Sequence, residues 1–391
     1  IPLFQPGEKI REGQLLARST GDDSSNIHAS IPGTIRQYRQ VPCPDGTMEK
    51  ACEIILSGSF DILGRKEEHN SWKQIPETQI LKLIGEKGII NTFERCKPLV
   101  KELSQARSSG NNTLVIRLFD LDPTTLLDSY LCAHYISQVL EGVAITARAM
   151  DAKRVVLVTL FKKEDRLDQK LLQTTFDQRS VQIISSPIRY PAGNTDSIVN
   201  LVSPDHRDRE KNPLVCIDAV TALSVRQAII KNQPPLFRYV RVCGPAVVHQ
   251  RILKVKIGTP VGDIIEECGG FKSKPSRIVV NGLLSGMALY DLDTPITQGV
   301  KSLHLMDYDT CPDFNVSDCI HCGRCLQVCP VHIDPMRVVT AIRKGKITPQ
   351  LTDLLKRCQY CGCCAMVCPS RIPLHHIIRE GGQLVIGGNH L

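Results

Sequence analysis

The sequence predicts a multidomain α/β plus β protein, and three observations carry that expectation. Its 391 residues exceed a single domain at roughly 100–200 residues each. Short apolar pieces between turn dipeptides open the chain, and apolar β-branched runs alternating with helical spacing follow. Nine of the 17 cysteines then crowd into positions 319–368. Hydrophobic residues make up 42% and charged residues 23%, an ordinary folded composition that excludes a disordered or collagenous chain. No run approaches the ~18 consecutive apolar residues of a membrane span, so the chain itself is not expected to cross a bilayer. Aromatics at 5% argue against a stacking platform for single-stranded nucleic acid. The formal charge of +8 is scattered, without a basic tail. No nucleic-acid partner is expected, and a mildly cationic surface suits an acidic partner.

Taken in order, residues 1–70 are rich in turns, with Pro6-Gly7, Glu12-Gly13, Pro32-Gly33 and Asp45-Gly46 around Ile35 and Ile54-Ile55-Leu56. That spacing predicts a small all-β unit. The runs Gly7–Leu16 and His28–Ile35 resemble a lipoyl-like barrel-sandwich, here without the Met-Lys hairpin tip that carries the swinging arm. Residues 71–235 alternate. A short helix is predicted over 78–86, a buried strand over 113–119, a helix over 129–150 and a second apolar run over 154–160. Further strands are expected at 181–184 and 214–217. Alternation of this kind implies a mostly parallel sheet covered on both faces. Residues 236–308 read as a small α+β unit, with strands at 239–242 and 277–280 and a helix near 261–268. The cysteine-rich unit spans 309–380, and a Gly-rich, loose tail is expected over 381–391.

The chemistry lies in two segments offset by 39 residues. Cys319-Ile-His-Cys322-Gly-Arg-Cys325-Leu-Gln-Val-Cys329-Pro330 is followed by Cys358-Gln-Tyr-Cys361-Gly-Cys-Cys364-Ala-Met-Val-Cys368-Pro369. Each copy is the C-x2-C-x2-C-x3-C-P run of bacterial two-cluster ferredoxins. Three thiolates on one tight loop grip three corners of a cubane, and the fourth points to the other cluster. Proline after it fixes φ and removes a donor, which helps turn the chain. Cluster one then takes Cys319, Cys322, Cys325 and Cys368, and cluster two takes Cys358, Cys361, Cys364 and Cys329. Structural zinc is the competing reading of paired C-x2-C groups, but eight cysteines in two full copies with their prolines favour two [4Fe–4S] clusters. Cys363 stands where the first copy has Arg324 and reads as a non-ligand, with a slip of ligation from Cys364 onto it as the alternative.

The eight scattered cysteines, and the odd total, fit a secreted disulfide framework poorly, so a reducing, cytoplasmic setting is expected, with a membrane complex as one place to dock. Nothing at the start resembles a signal peptide, although the chain begins at Ile1 and a leading segment stays open. Cys43 and Cys52 are candidates for a regulatory disulfide across a hairpin. His375-His376 read as surface residues.

With these motifs last in this domain order, nearly the whole chain resembles the RnfC-like subunits of electron-transport complexes. Ile278–Gly286 and Leu292–Gly299 are similar to the family's SLBB domain, and Tyr190-Pro-Ala-Gly193 to one of its turns. The resemblance implies an α/β domain like the flavin-binding subunit of respiratory complex I, which generally holds FMN and meets NADH. The chain departs from the family where a loop of the form G-x-G-G-A-G-F-P-T cradles the flavin phosphate. Here the stretch is Gly88-Ile-Ile-Asn-Thr-Phe93-Glu-Arg-Cys96, whose side chains crowd that approach and count against FMN. The family's acidic stretch has a counterpart in Asp120-Leu-Asp122-Pro123. Asp120 and Asp122 are the candidate flavin or ribose contacts, with loop carboxylates at a helix start near Thr124 as the structural alternative.

The reading is an iron–sulfur electron-transfer subunit that relays single electrons from an NADH- or flavin-linked donor to a partner reductase or complex. The altered loop favours a soluble delivery protein, as in the D-proline-reductase-type branch. The alternative is a self-sufficient FMN-containing NADH dehydrogenase, and a third reading is a scaffold whose clusters only staple the chain.

Overall fold

The structure is a computed structural model and describes residues 1–57, 70–110, 112–160, 169–176, 179–205, 212–312, 315–346 and 348–386. The chain opens with β1 (Lys9–Ile10), β2 (Leu15–Ala17), β3 (Ile27–His28), β4 (Gly33–Pro42) and β5 (Met48–Leu56). β4 and β5 form a long antiparallel hairpin flanked by β1, and β2 pairs with β3. Ile10, Leu16, Ala29 and Ile35 fill the small core. Gly33 is obligatory, since a Cβ there would lie 2.1 Å from the Ile55 carbonyl. The hairpin tip is a turn in which Asp45 accepts from Thr47, and it carries no lysine. The candidate disulfide between Cys43 and Cys52 does not fit this register. Cys52 lies opposite Tyr38, whereas the Cys43 amide donates to Thr47. Five residues of strand separate the two levels, about 17 Å, far beyond the ~7 Å Cα limit for a bridge.

The middle of the chain supplies α1 (Glu77–Glu86), β6 (Ile90–Asn91), β7 (Lys97–Pro98), α2 (Leu99–Ser109), β8 (Thr113–Arg117), α3 (Leu127–Ala149), β9 (Arg154–Thr159), α4 (Gln169–Phe176), β10 (Ser180–Ser185), α5 (Thr195–Val202), β11 (Leu214–Asp218) and α6 (Ala219–Ile230). The order β10-β9-β8-β11 is parallel throughout. Every residue of β8 is buried, as expected for a strand with helices on both faces. One face packs against α1, α2, α3 and α6 through Leu103, Leu140, Val143 and Val225. The other packs against α5 through Ile198 and Val202. The helix predicted over 129–150 begins at Leu127, three residues beyond the start near Thr124 that the loop-carboxylate alternative gave. Leu126 takes φ 52°, and the Asp120 carboxylate accepts from the amides of Leu127, Asp128 and Ser129, ending the loop there.

α3 and α6 touch backbone to backbone at Gly142, where a Cβ would lie 2.0 Å from the Ala222 carbonyl. Gly142→Val is therefore expected to wedge the helices apart and to cost about 2–3 kcal/mol. Thermal unfolding would check this, and an unchanged midpoint would rule it out.

β12 (Phe237–Cys243), β13 (Arg251–Lys256), α7 (Val261–Glu267), β14 (Arg277–Val280), β15 (Met287–Leu289) and β16 (Ser302–Met306) follow, in the sheet order β13-β12-β16-β14-β15. Only the β12–β16 pair is parallel. The last helices are α8 (Arg324–Gln327), α9 (Pro335–Arg343), α10 (Pro349–Arg357), α11 (Cys363–Met366) and α12 (Leu374–Ile386). Asp334 caps α9 and Thr348 caps α10, each followed by proline at the first helical turn. The expected loose tail starts too early at Gly381. The helix runs on to Ile386, and Gly381 is the contact that lets α12 approach Ile342 of α9, where a Cβ would meet the side chain at 2.5 Å. The remainder of that tail, 387–391, lies outside the described residues.

Candidate metal centre

The two cysteine segments follow the same backbone path. His321 and Tyr360 take φ 56° and 47°, Gly323 and Gly362 take 72° and 77°, and His332 and Arg371 both take 54°. The left-handed glycine lets the loop reverse into α8 or α11. Cys329 is buried and leaves its own loop to line a single cavity with Cys358, Cys361 and Cys364. Cys363, Tyr360, His375, Ile333 and Ile378 complete the wall. Cys325 of the first segment lies close enough to Cys368 of the second for their charges to interact. His375, expected at the surface, is instead turned inward, its Nε2 donating to the Tyr360 carbonyl at 2.9 Å. His376 is exposed and pairs with Glu380.

Among the described residues, no three His, Cys, Asp or Glu side chains converge to hold a single ion. Four thiols of the second set instead ring a void. A cubane gives each thiolate its own iron, so four thiols around one cavity fit the cluster as a donor set. Burial pushes the Cys358 thiol up to about 11 and that of Cys364 up to about 12. Iron must therefore displace protons from these sulfurs.

The two loops differ in what surrounds them. A Cβ at Gly362 would lie 1.9 Å from the Leu284 carbonyl, whereas one at Gly323 would meet nothing within 4 Å. The second loop is also held by Tyr190, whose hydroxyl donates to the Cys361 carbonyl at 2.6 Å. Arg379 of α12 donates to the Ser285 carbonyl at 3.0 Å. The second cysteine loop is thus seated on the body of the protein, and the first projects from it.

Asp120 and Asp122 do not come together in an open pocket. Asp120 is the cap of α3 described above. Asp122 accepts from Thr124 and from the amides of Leu284 and Ser285 at 2.8 and 3.0 Å, tying the α/β sheet to the same loop that seats Gly362. Gly282 makes that approach available, since a Cβ there would lie 2.3 Å from the Asp122 carboxyl carbon.

In open parallel sheets, ligands bind outside the carboxyl ends of the strands where their order reverses. Here that point lies between β8 and β11, and the chain's own side chains fill it. Arg117 at the end of β8 is fully buried and donates to the carbonyls of Phe119, Phe93 and Gly193, with its guanidinium 4.1 Å from the Phe93 ring centre. The Thr92 hydroxyl donates to Asp218 at 2.9 Å. Lys301 bridges Asp128 and Asp218 at 2.7 and 2.6 Å. Burial raises Asp128 to about 6 against the pull of Lys301. It would raise Asp218 as well, but Lys301 and Arg117 outweigh it and hold that carboxyl well below the ordinary range. Sequence reading missed this group. Its signals were an arginine inside the apolar run Leu114–Phe119 and an aspartate closing β11. Thr92, Phe93 and Arg117 thus occupy the crevice at the switch point.

Beside the filled crevice runs a cleft of about 510 Å³, partly open to solvent. Its walls are the 93–97 loop, α2, the Pro213–Cys216 stretch and, at the far end, Lys356 and Cys358–Tyr360 of the second cysteine loop. Whatever enters this cleft comes within reach of that loop.

Comparison with known proteins agrees with this architecture. The Nuo51 FMN-binding domain matches residues 84–232, the SLBB domain 239–288 and the 4Fe-4S dicluster domain 309–372. One subunit of the proton-translocating ferredoxin:NAD(+) oxidoreductase complex of Clostridium ljungdahlii is 25% identical over 85% of this chain and 74% of its own length. A subunit of the ion-translocating oxidoreductase complex of Rhodobacter capsulatus is 25% identical over 88% of this chain and 68% of its own. Against the matching subunit of the ion-translocating oxidoreductase complex of Pseudomonas aeruginosa, the chain spans 44% of that protein. A chain of the NAD+-reducing [NiFe]-hydrogenase in its H2-reduced state superposes with a TM-score of 0.54 at 15% identity. That match covers 84% of this chain and 64% of the other, less than two thirds, and shows the shared fold. All three domains are matched in order, and subunits of ion-translocating oxidoreductase complexes are alike over most of its length, so the chain is similar throughout to the RnfC-like subunits of electron-transport complexes.

Proposed function

We propose that the chain is an iron–sulfur relay. It passes single electrons between an NADH- or flavin-linked donor and a partner reductase or complex, and it docks peripherally where that partner is membrane-bound. Cys319, Cys322, Cys325 and Cys368 hold one [4Fe–4S] cluster, and Cys358, Cys361, Cys364 and Cys329 hold the other, with Cys363 beside the second set as a non-ligand. When bound, the clusters supply one-electron transfer. The chain's residues supply the spacing, the exclusion of water and the amide donors that tune potential, such as the His321 amide 3.4 Å from Cys319 sulfur. The cleft ending at Cys358 and Tyr360 is where the donor approaches, and the observation that carries the reading is Cys329 sharing one cavity with the thiols of the other motif.

The filled switch point favours delivery of electrons brought by another protein over a self-sufficient FMN-containing dehydrogenase, and Asp120 and Asp122 serve the protein's own loops there. The test is metal, sulfide and flavin analysis of anaerobically purified protein. About eight irons and eight sulfides per chain without stoichiometric flavin are expected. One zinc per cysteine group would end the proposal. Stoichiometric FMN with NADH oxidation by the isolated protein would transfer it to the dehydrogenase reading.

A further inference from the structure

The two cysteine loops share one backbone path but sit in different electrical surroundings. In the first, Ile320, His321, Cys322 and Arg324 are exposed, so water is the medium beside the thiols. The second is enclosed, with Gln359, Tyr360 and Cys361 half-buried and Gly362 buried. Three side chains from outside the motif stand where water would be. Tyr190 of the α/β unit donates to the Cys361 carbonyl at 2.6 Å. His375 of α12 donates to the carbonyl just before it, that of Tyr360, at 2.9 Å. Arg379 lies four residues further on the same face of α12. It donates to the Ser285 carbonyl at 3.0 Å, and its charge acts on both Tyr360 and Cys358. Closing the loop does not require this set, because the first loop makes the same turn in solvent.

All three side chains favour added negative charge. The Tyr360 carbonyl shares a peptide with the Cys361 amide, and the Cys361 carbonyl shares one with the Gly362 amide. A hydrogen bond accepted at the oxygen polarises such a peptide and strengthens its N–H as a donor. Both amides lie between Cys358 and Cys364, where amide donors tune a cluster. Reduction places one more negative charge among Cys329, Cys358, Cys361 and Cys364, and an enclosed medium opposes it. The Arg379 guanidinium offsets that cost by an attraction that little water screens. The carboxylates nearby are engaged elsewhere. Asp122 faces Tyr190 but accepts from Thr124 and from the amides of Leu284 and Ser285. Asp196 accepts from Gln359 at 3.5 Å.

We propose that Tyr190, His375 and Arg379 are positioning residues that raise the reduction potential of the cluster held by Cys358, Cys361, Cys364 and Cys329. Tyr190 and His375 act through the peptides of Tyr360–Gly362, and Arg379 acts on the Cys358 thiolate. They make the enclosed cluster a better resting place for the electron than enclosure alone allows. The inference rests on the relay reading and assigns the residues that bias it.

The test is a redox titration of the anaerobically purified full chain with dithionite, followed by low-temperature electron paramagnetic resonance. The signal of the second cluster is the one that Cys329→Ser removes. Tyr190→Phe and His375→Leu are each expected to shift its reduction equilibrium about threefold toward the oxidised form. Arg379→Gln is expected to shift it about tenfold, which is about 59 mV. Arg379→Lys keeps the charge and should recover most of that shift. The signal of the other cluster should stay in place, with iron and sulfide at the wild-type level in every variant. An unmoved second signal, or equal shifts in both signals, would overturn the proposal. So would loss of iron with no shift in the iron that remains, because that assigns the three residues to seating the loop alone. Arg379→Lys behaving like Arg379→Gln would overturn it too, since the charge would then do nothing. Protein lacking iron at the outset refutes the relay reading instead, whereas iron-loaded protein whose second signal ignores all the variants refutes only this inference.

Discussion

Cys329→Ser is expected to cut iron from about eight to about four per chain while leaving the second half of the complement in place. The thiol is 8% exposed and lines the cavity of the other motif's Cys358, Cys361 and Cys364, so its loss opens the cluster whose other three ligands are 29 or more residues away in sequence. Double variants test the crossing directly. Cys329→Ser with Cys358→Ser strikes one cluster twice and should lose no more iron than either change alone. Cys329→Ser with Cys319→Ser strikes both and should leave almost none. An uncrossed arrangement predicts the reverse pair of results. Iron and sulfide counts, with low-temperature electron paramagnetic resonance of the reduced protein, read the outcome.

Lys301→Met is expected to destabilise the protein by about 3–5 kcal/mol, because it strands two buried carboxylates. Asp128 and Asp218 are fully buried and share the Lys301 ammonium; Lys301 leads into β16, whereas Asp128 lies in the first turn of α3 and Asp218 closes β11. In the wild type, the raised Asp128 keeps a proton that the unfolded chain releases. Its contribution is present below the unfolded value of about 4 and is lost as pH rises toward about 6. Asp218 acts with the opposite sign, stabilising above its unfolded value and losing that contribution as the solution is made strongly acid. Without Lys301 both carboxyls hold their protons to higher pH. The deficit of the variant should therefore be larger at pH 8 than at pH 5 in denaturant titrations. An equal deficit at both would show that packing, not charge, is lost.

Much of the architecture was legible in the chain. The strands expected at 277–280 and 214–217, the long helix expected over 129–150 and the thiol motifs all express local rules, namely apolar period and fixed spacing. What misled was also local. Asp120 and Asp122 stand in the acidic stretch of a nucleotide site, yet one caps α3 and the other binds the amides of Leu284 and Ser285, more than 160 residues away. Cys43 and Cys52 fall on one hairpin, but only the register shows them to be five residues out of step.

The sequence by itself determined the spacing of the thiols proposed to bind iron–sulfur clusters, because a tight loop of three thiols and a fourth near proline is short-range geometry. It also determined the order of the units, because periodicity survives without contacts. Tertiary structure decided what fills the flavin crevice, which cysteine loop is covered and which faces solvent. Those outcomes depend on Arg117 meeting Phe93 and on Gly362 meeting Leu284, encounters across the folded chain that no local spacing encodes.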